Sequence, residues 1–140
     1  MIALIRIKGE VNIDPRIKET LYRVRLRRKY SCVLIKPDHV NTGVIKKLAS
    51  FVAYGEINDE TLHKLIEKRG KLIDKNKKVD VKKVVEEIKK GKKLEDLNVK
   101  PFFRLHPPRG GIDSGKHFGI KKGVLGNNKE QINKLIERML

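Results

Sequence analysis

A chain of 140 residues with 34 Lys+Arg against 17 Asp+Glu has a formal net charge of +17, far above the magnitude of roughly 2 to 8 that keeps a small domain soluble, and such a surface repels itself unless something acidic covers it. No apolar run approaches the roughly 20 residues of a membrane-spanning helix and the N-terminus has no signal-peptide pattern, so the expectation is a soluble, intracellular protein with a polyanionic partner and no membrane. A lone cysteine, Cys32, excludes an internal disulfide and a cysteine-cluster zinc site, while 5% aromatics and no Trp favour recognition by shape and phosphate over base-by-base stacking.

In chain order, residues 2–8 (Ile-Ala-Leu-Ile-Arg-Ile-Lys) read as a strand whose second half alternates apolar and basic side chains, which predicts a sheet with one wet, positive side. Asp14 followed by Pro15 starts a helix: an N-cap acid, then proline where its missing N–H costs nothing. The helix is expected to run to about Arg25 and to bury Ile17, Leu21 and Val24. Arg16, Arg23 and, if the turn continues, Arg27 form a neighbouring stripe, and Arg25, Arg28 and Lys29 thicken its basic end. Glu19 is the one acid on that helix, so pairing within it cannot absorb the charge. Residues 31–36 give a second, strongly apolar strand closed by Pro37, with Cys32 packing as a small hydrophobe. Asn41 or Thr42 is expected to cap a second helix with Val44, Ile45 and Leu48 inward and Lys46 and Lys47 outward. A third strand follows from Val52 to Ile57. A third helix starts at Asn58, places Asp59 and Glu60 in its dipole-favoured first turn, packs Leu62, Leu65 and Ile66, and stops at Gly70. Residues 1–69 thus make a β-α-β-α-β-α core domain, a three-stranded sheet with helices over one face.

Residues 70–140 read as an extension. Between residues 71 and 100 eleven lysines stand against six acids, as in a solvated linker carrying one docking helix from Asp80 to Lys90 that buries Val81, Val84, Val85 and Ile88 and ends at Gly91. Residues 102–126 then hold six of the eleven glycines and two of the five prolines. Only the first few of these residues are expected to pair as a strand, because glycine recurs too often after Pro107 and Pro108 for a helix or a ladder. Their side chains include Arg104, His106, Arg109, Lys116, His117, Lys121 and Lys122 against a single acid, Asp113. Phosphates are the natural ordering partner: glycines let backbone N–H groups approach them and the basic side chains neutralise them. Asn128 and Gln131 have capping-box spacing before a last helix whose Ile132, Leu135, Ile136 and Met139 stripe docks on the core.

The segment Phe102-Phe-Arg-Leu-His-Pro-Pro-Arg-Gly-Gly111 closely resembles the signature of the archaeal large-subunit ribosomal protein numbered thirty, whose eukaryotic counterpart is numbered seven. The likeness extends to the opening strand, to Thr20-Leu-Tyr-Arg-Val-Arg-Leu-Arg-Arg28 running into Cys32-Val-Leu-Ile35, to Gly91-Lys-Lys-Leu-Glu-Asp-Leu97, and to Leu125-Gly-Asn127 before Ile132-Asn-Lys-Leu-Ile136. The shorter bacterial form is similar to residues 1 to about 57 only. The resemblance implies an α+β fold with a three-stranded, ferredoxin-like core and an archaeal/eukaryotic-type extension, seated on 23S and 5S rRNA beside neighbouring ribosomal proteins, cytoplasmic, and structural in role with no cofactor, metal or small-molecule substrate. Carried over position by position, it implies RNA contacts at Arg104, His106, Arg109, Gly110 and Gly111 and at Arg25, Arg27 and Arg28. The chain departs from the family pattern between Gly111 and Leu125, where it is shorter, and at Asn128, where the family often has Arg.

Two other chemistries compete for the same stretch. Gly110-Gly-Ile-Asp-Ser-Gly-Lys116 satisfies the G-x-x-x-x-G-K pattern of a nucleotide-binding loop, but His117 stands where Ser or Thr holds Mg²⁺, and Gly119 and Gly123 interrupt the helix that should follow. His106, Asp113 and His117 lack the helical or hairpin spacing that converges a metal or acid/base site. A basic RNA- or DNA-binding regulator outside the ribosome is compatible with composition and is opposed by the family motif.

Overall fold

The apolar run at residues 2–5 has hydrophobic side chains in both directions of the pleat, the pattern of a strand covered on both sides. In the computed structural model, which describes all 140 residues, it forms β1 (Ile2–Arg6) of a six-stranded sheet. Along the chain follow α1 (Pro15–Arg23), β2 (Ser31–Ile35), α2 (His39–Leu48), β3 (Val52–Glu56), α3 (Asp59–Arg69), α4 (Val81–Lys89), β4 (Phe103–Arg104), β5 (Asp113–His117), β6 (Gly123–Asn127) and α5 (Ile132–Met139). The sheet order is β4-β2-β1-β3-β6-β5. The three strands of residues 1–69 pair antiparallel, β4 adds antiparallel to β2, and β6 and β5 add parallel beyond β3. The α+β class expected from the sequence is the class observed, and the extension widens the sheet at both edges.

Helices cover both faces of that sheet, where the sequence reading placed them on one. Leu4 points into a cluster with Leu21 and Leu26, Ile45 and Leu48 of α2, and Val33 and Val52. Its neighbours Ala3, Ile5 and Ile7 point the other way, into a larger core with Leu62, Leu65 and Ile66 of α3, Val84, Val85 and Ile88 of α4, and Ile132, Leu135, Ile136 and Met139 of α5. The pleat alternation within one strand is what divides the core in two. Gly55 sits where β3 meets the start of α5, and a Cβ there would lie 2.9 Å from Ile132 Cβ and inside contact distance of the Lys129 carbonyl.

Four local expectations change. The positive side predicted for β1 is absent, because Arg6 is fully buried with its guanidinium donating to the backbone carbonyls of Lys8 (3.0 Å), Leu26 (2.9 Å) and Arg27 (2.8 Å). Helix α1 begins as expected, with Asp14 accepting from the Arg16 N–H, but it ends at Arg23. Arg25 then takes a left-handed conformation (φ 64°), so Arg27 leaves the helical stripe. Helix α2 is capped by Asp38, which accepts from the Asn41 N–H at 2.7 Å, and so starts before Asn41. Asn128 makes no cap: its buried amide donates to the carbonyls of Val124 (2.6 Å) and Gly126 (3.1 Å), closing the end of β6.

The glycine-rich stretch is the largest revision, since it supplies two strands where little pairing was expected. Val124 and Leu125 are buried and anchor β6 beside β3. Gly123 is required by close packing, because a Cβ there would collide with the backbone of Lys116 and His117 on β5. Glycine here permits two backbones to approach and so makes the ladder it was expected to prevent.

Candidate nucleic-acid interface

Strand registers place Arg6, Ser31, Arg104, Val52, Gly123 and Asp113 at one end of the sheet, and two segments that cross this end carry basic side chains. The first is the turn between α1 and β2. Buried Arg6 fixes the Leu26 and Arg27 carbonyls from below, and between the left-handed residues Arg25 and Tyr30 the Leu26 side chain turns into the core while the next three turn outward. Arg27, Arg28 and Lys29 are exposed. Arg27 stacks over the Tyr22 ring at 5.8 Å and Lys29 over Tyr30 at 5.1 Å, contacts that orient the cations without neutralising them. Arg104 lies opposite Ser31 in the β2–β4 register and stacks over Phe102 at 5.9 Å, which brings it beside the turn.

The second crossing is the His106–Gly111 strap, which runs over the C-terminal turn of α5 toward the opposite edge of the sheet. Its backbone is tied to that helix: His106 N–H donates to Met139 O (2.8 Å) and Arg109 N–H to Arg138 O (3.1 Å). The Arg138 guanidinium reaches back to the Arg109 carbonyl at 2.8 Å and to the Gly111 carbonyl. Gly110 and Gly111 both have positive φ (80° and 74°), a conformation that is costly for residues with a Cβ. Between the strap, the turn after β5 and the outer side of α5 lies an open bowl of about 580 Å³, lined by Arg109, Lys121, Lys122, Lys134 and Arg138 with no acidic residue in its wall.

The other expected contact residues divide by their partners. Arg23 pairs with Glu19 at 2.5 Å, Arg25 with Glu95 at 2.5 Å and Lys116 with Asp113 at 3.2 Å, so part of their charge is already answered within the protein. Arg16, Lys46, Lys47, His106, His117, Lys121 and Lys122 are exposed; Lys46 and Lys47 occupy the last turn of α2. Sequence reasoning missed Lys134 and Arg138. Their i, i+4 spacing beside the Ile132/Leu135/Ile136 stripe was the available signal, since it sets both on one flank of a helix whose other flank is buried. The residues after Lys116 form the end of a strand and a turn, so the G-x-x-x-x-G-K pattern lacks the helix N-terminus that holds phosphates in a nucleotide-binding loop. No three His, Cys, Asp or Glu side chains gather as a metal ligand set, and no helix is long and apolar enough to cross a membrane.

The sequence profile described as "Ribosomal protein L30p/L7e" matches residues 2–52. Full-length similarity is to proteins named "Large ribosomal subunit protein uL30": that of Methanococcus vannielii is 39% identical over 99% of this chain and 98% of its own length, and that of Archaeoglobus fulgidus is 39% identical over 99% of both. The Methanocella arvoryzae protein of the same name is 38% identical over 99% of both chains. The chain belongs to the uL30 family. The family expected from the His-Pro-Pro-Arg-Gly-Gly segment is therefore the family found, and the uL30 likeness covers the extension as well as the part matched by the profile. Alignment to these uL30 proteins runs over 152 to 154 positions, more than this chain's 140 residues, which accords with a shortening relative to the family.

Proposed function

We propose that the chain is a structural constituent of the large ribosomal subunit, binding 23S and 5S rRNA beside neighbouring ribosomal proteins in the cytoplasm, with no catalytic step of its own. The observation that carries this reading is the acid-free bowl of five cations next to a turn and strand whose Arg27, Arg28, Lys29 and Arg104 have no acidic partner. Acidic side chains gather in the adjoining concavity, which shares Gln131 and Lys134 with the bowl and adds Glu56, Glu130 and Glu137. A polyanion therefore meets the molecule at the basic end of the sheet. Arg104 and Arg109 neutralise phosphates and the turn arginines extend the track. The backbone N–H of Gly110, which has no protein acceptor, is free to donate to an anion. Arg16, Lys46, Lys47, His106, Gly111, Lys116, His117, Lys121 and Lys122 belong to the same proposed surface, whereas Arg23 and Arg25 line a separate concavity with Met1, Ile35 and Lys36.

The test is binding to large-subunit rRNA across a salt series, with sedimentation of large subunits from extract in high salt. Each phosphate contact contributes about 0.7 to 0.9 to the slope of log affinity against log salt, so the double change Arg104→Ala, Arg109→Ala is expected to flatten that slope by about 1.5. Salt-independent affinity, or a protein that never travels with the large subunit, refutes the reading.

A further inference from the structure

The bowl has one wall that phosphate neutralisation does not explain. Phe118 lines it together with the five cations and is 41% exposed, while Phe51, Phe102 and Phe103 are half-buried or buried. Its presentation is fixed: the Phe118 N–H donates to Leu125 O (2.9 Å), Ile120 N–H to His117 O (3.2 Å) and Gly123 N–H to Ile120 O (2.8 Å), so the turn that carries the ring is pinned to β6. Gln131, on the α5 side of the bowl, is exposed and its side-chain amide has no hydrogen-bond partner in the protein. A volume of about 580 Å³ is that of a pocket for one small molecule, within the range of about 300 to 1,000 Å³, and too small for a helical duplex.

An aromatic face, a donor–acceptor amide and an anion-binding rim make up the set of groups that bind one unstacked nucleotide. Resting on the rRNA-binding reading above, we propose that the bowl receives a single nucleotide extruded from the RNA helix, its base stacked on Phe118 and its phosphate held by Arg109, Lys122 and the free Gly110 N–H. The Gln131 amide faces the base edge. Adenine, whose N6 donor and N7 acceptor match one amide, is the fitting base. Recognition at this point is thus of a bulged or looped-out residue, and it adds site selectivity to a surface that otherwise reads only phosphate.

The experiment uses the full chain and three otherwise identical RNA hairpins: fully paired, carrying one bulged adenosine, and carrying an abasic residue at the bulge. Affinities are measured by fluorescence anisotropy at several salt concentrations. The bulged adenosine is expected to bind at least about fivefold more tightly than either other RNA, the lower end of what base–aromatic stacking contributes. Phe118→Leu, an exposed change that keeps apolar volume, should abolish that preference and leave the salt slope unaltered; Phe118→Tyr should retain it. In spectra of the protein, the Phe118 ring protons should shift upfield with the bulged RNA alone. Equal affinity for the three hairpins, or a preference that survives Phe118→Leu, overturns the nucleotide site while leaving salt-dependent rRNA binding standing. Absence of salt-dependent binding to any of them removes the rRNA-binding reading, and this inference with it.

Discussion

Replacing Arg6 by methionine tests whether the core itself sets the shape of the basic turn. Arg6 is 0% exposed, and its three hydrogen bonds go to the backbone carbonyls of Lys8, Leu26 and Arg27, while its nearest carboxylate, Glu10, stands 3.9 Å away with a half-exposed side chain. A buried ion pair can often be exchanged for apolar residues at little cost because both charges leave together. Here only the donor leaves. The carbonyls remain, and the one on Leu26 stays buried without a partner. Hydrogen bonds to a charged group contribute about 1.5 to 3 kcal/mol each and do not add fully; methionine regains part of the loss through packing and by removing the desolvation of a guanidinium. The expected net destabilisation is about 3 kcal/mol, a large share of the roughly 5 to 15 kcal/mol that a domain possesses. Urea denaturation measures it, with Glu10→Gln as a control expected to cost under about 1 kcal/mol because that pair is solvent-screened. In the folded fraction of Arg6→Met, affinity for RNA should also fall, since the turn that presents Arg27 and Arg28 has lost its floor. A loss of stability below about 1 kcal/mol refutes the claim that the guanidinium holds this turn.

Three further outcomes are expected. Gly123→Ala should destabilise by about 1 to 3 kcal/mol and raise hydrogen exchange across β5 and β6, because the added methyl meets the backbone of Lys116 and His117; unchanged exchange would contradict the close approach. Burial pushes the Cys32 thiol up to about 12, so at pH 8 Ellman's reagent should label the native protein slower than the urea-unfolded chain by about two orders of magnitude or more. The same raised thiol has a sign in stability: the unfolded chain loses its proton near pH 9 while the native one keeps it, so the contribution is complete below pH 9 and is lost as pH rises toward 12, a decline that Cys32→Ala should lessen. Arg138→Ala removes the two side-chain bonds that hold the Arg109 and Gly111 carbonyls, and limited trypsin digestion should then cut after Arg109 several-fold faster, with the core fragment intact.

What could be read from residue order alone follows from the range of each interaction. Caps are local, and Asp14, Asn58 and Asp80 each accept from a backbone N–H two or three residues on, as their places in the sequence indicate. The Ile132, Leu135, Ile136 and Met139 stripe is likewise a matter of helical period. Arg6 illustrates the opposite case: two of its three acceptors lie 20 and 21 residues away, and a basic residue after an apolar run reads as solvent-facing unless those carbonyls are known to be waiting. Gly123 is similar, since one glycine marks a turn or a close approach according to what lies across from it, here β5.

The interface shows the same division and gives it a functional meaning. Arg104 and Arg109 stand in a segment whose composition gives the expectation of an anion site, but the bowl exists because α5 returns from the end of the chain to place Lys134 and Arg138 against that segment. Arg138 is bonded on its inner side to strap carbonyls, so it serves first to shape the loop, and its charge enters the bowl wall as a consequence. The buried half of α5, with Ile132, Leu135, Ile136 and Met139 in the main core, fixes where that charge stands. The basic surface proposed for RNA is thus set by the same packing that stabilises the fold. A substitution such as Leu135→Ala, made in the core and touching no phosphate, should weaken RNA binding through the position of Lys134 and Arg138 as well as through a loss of about 2 to 5 kcal/mol of stability; an affinity that holds while the helix loosens would show that the bowl is built from the strap alone.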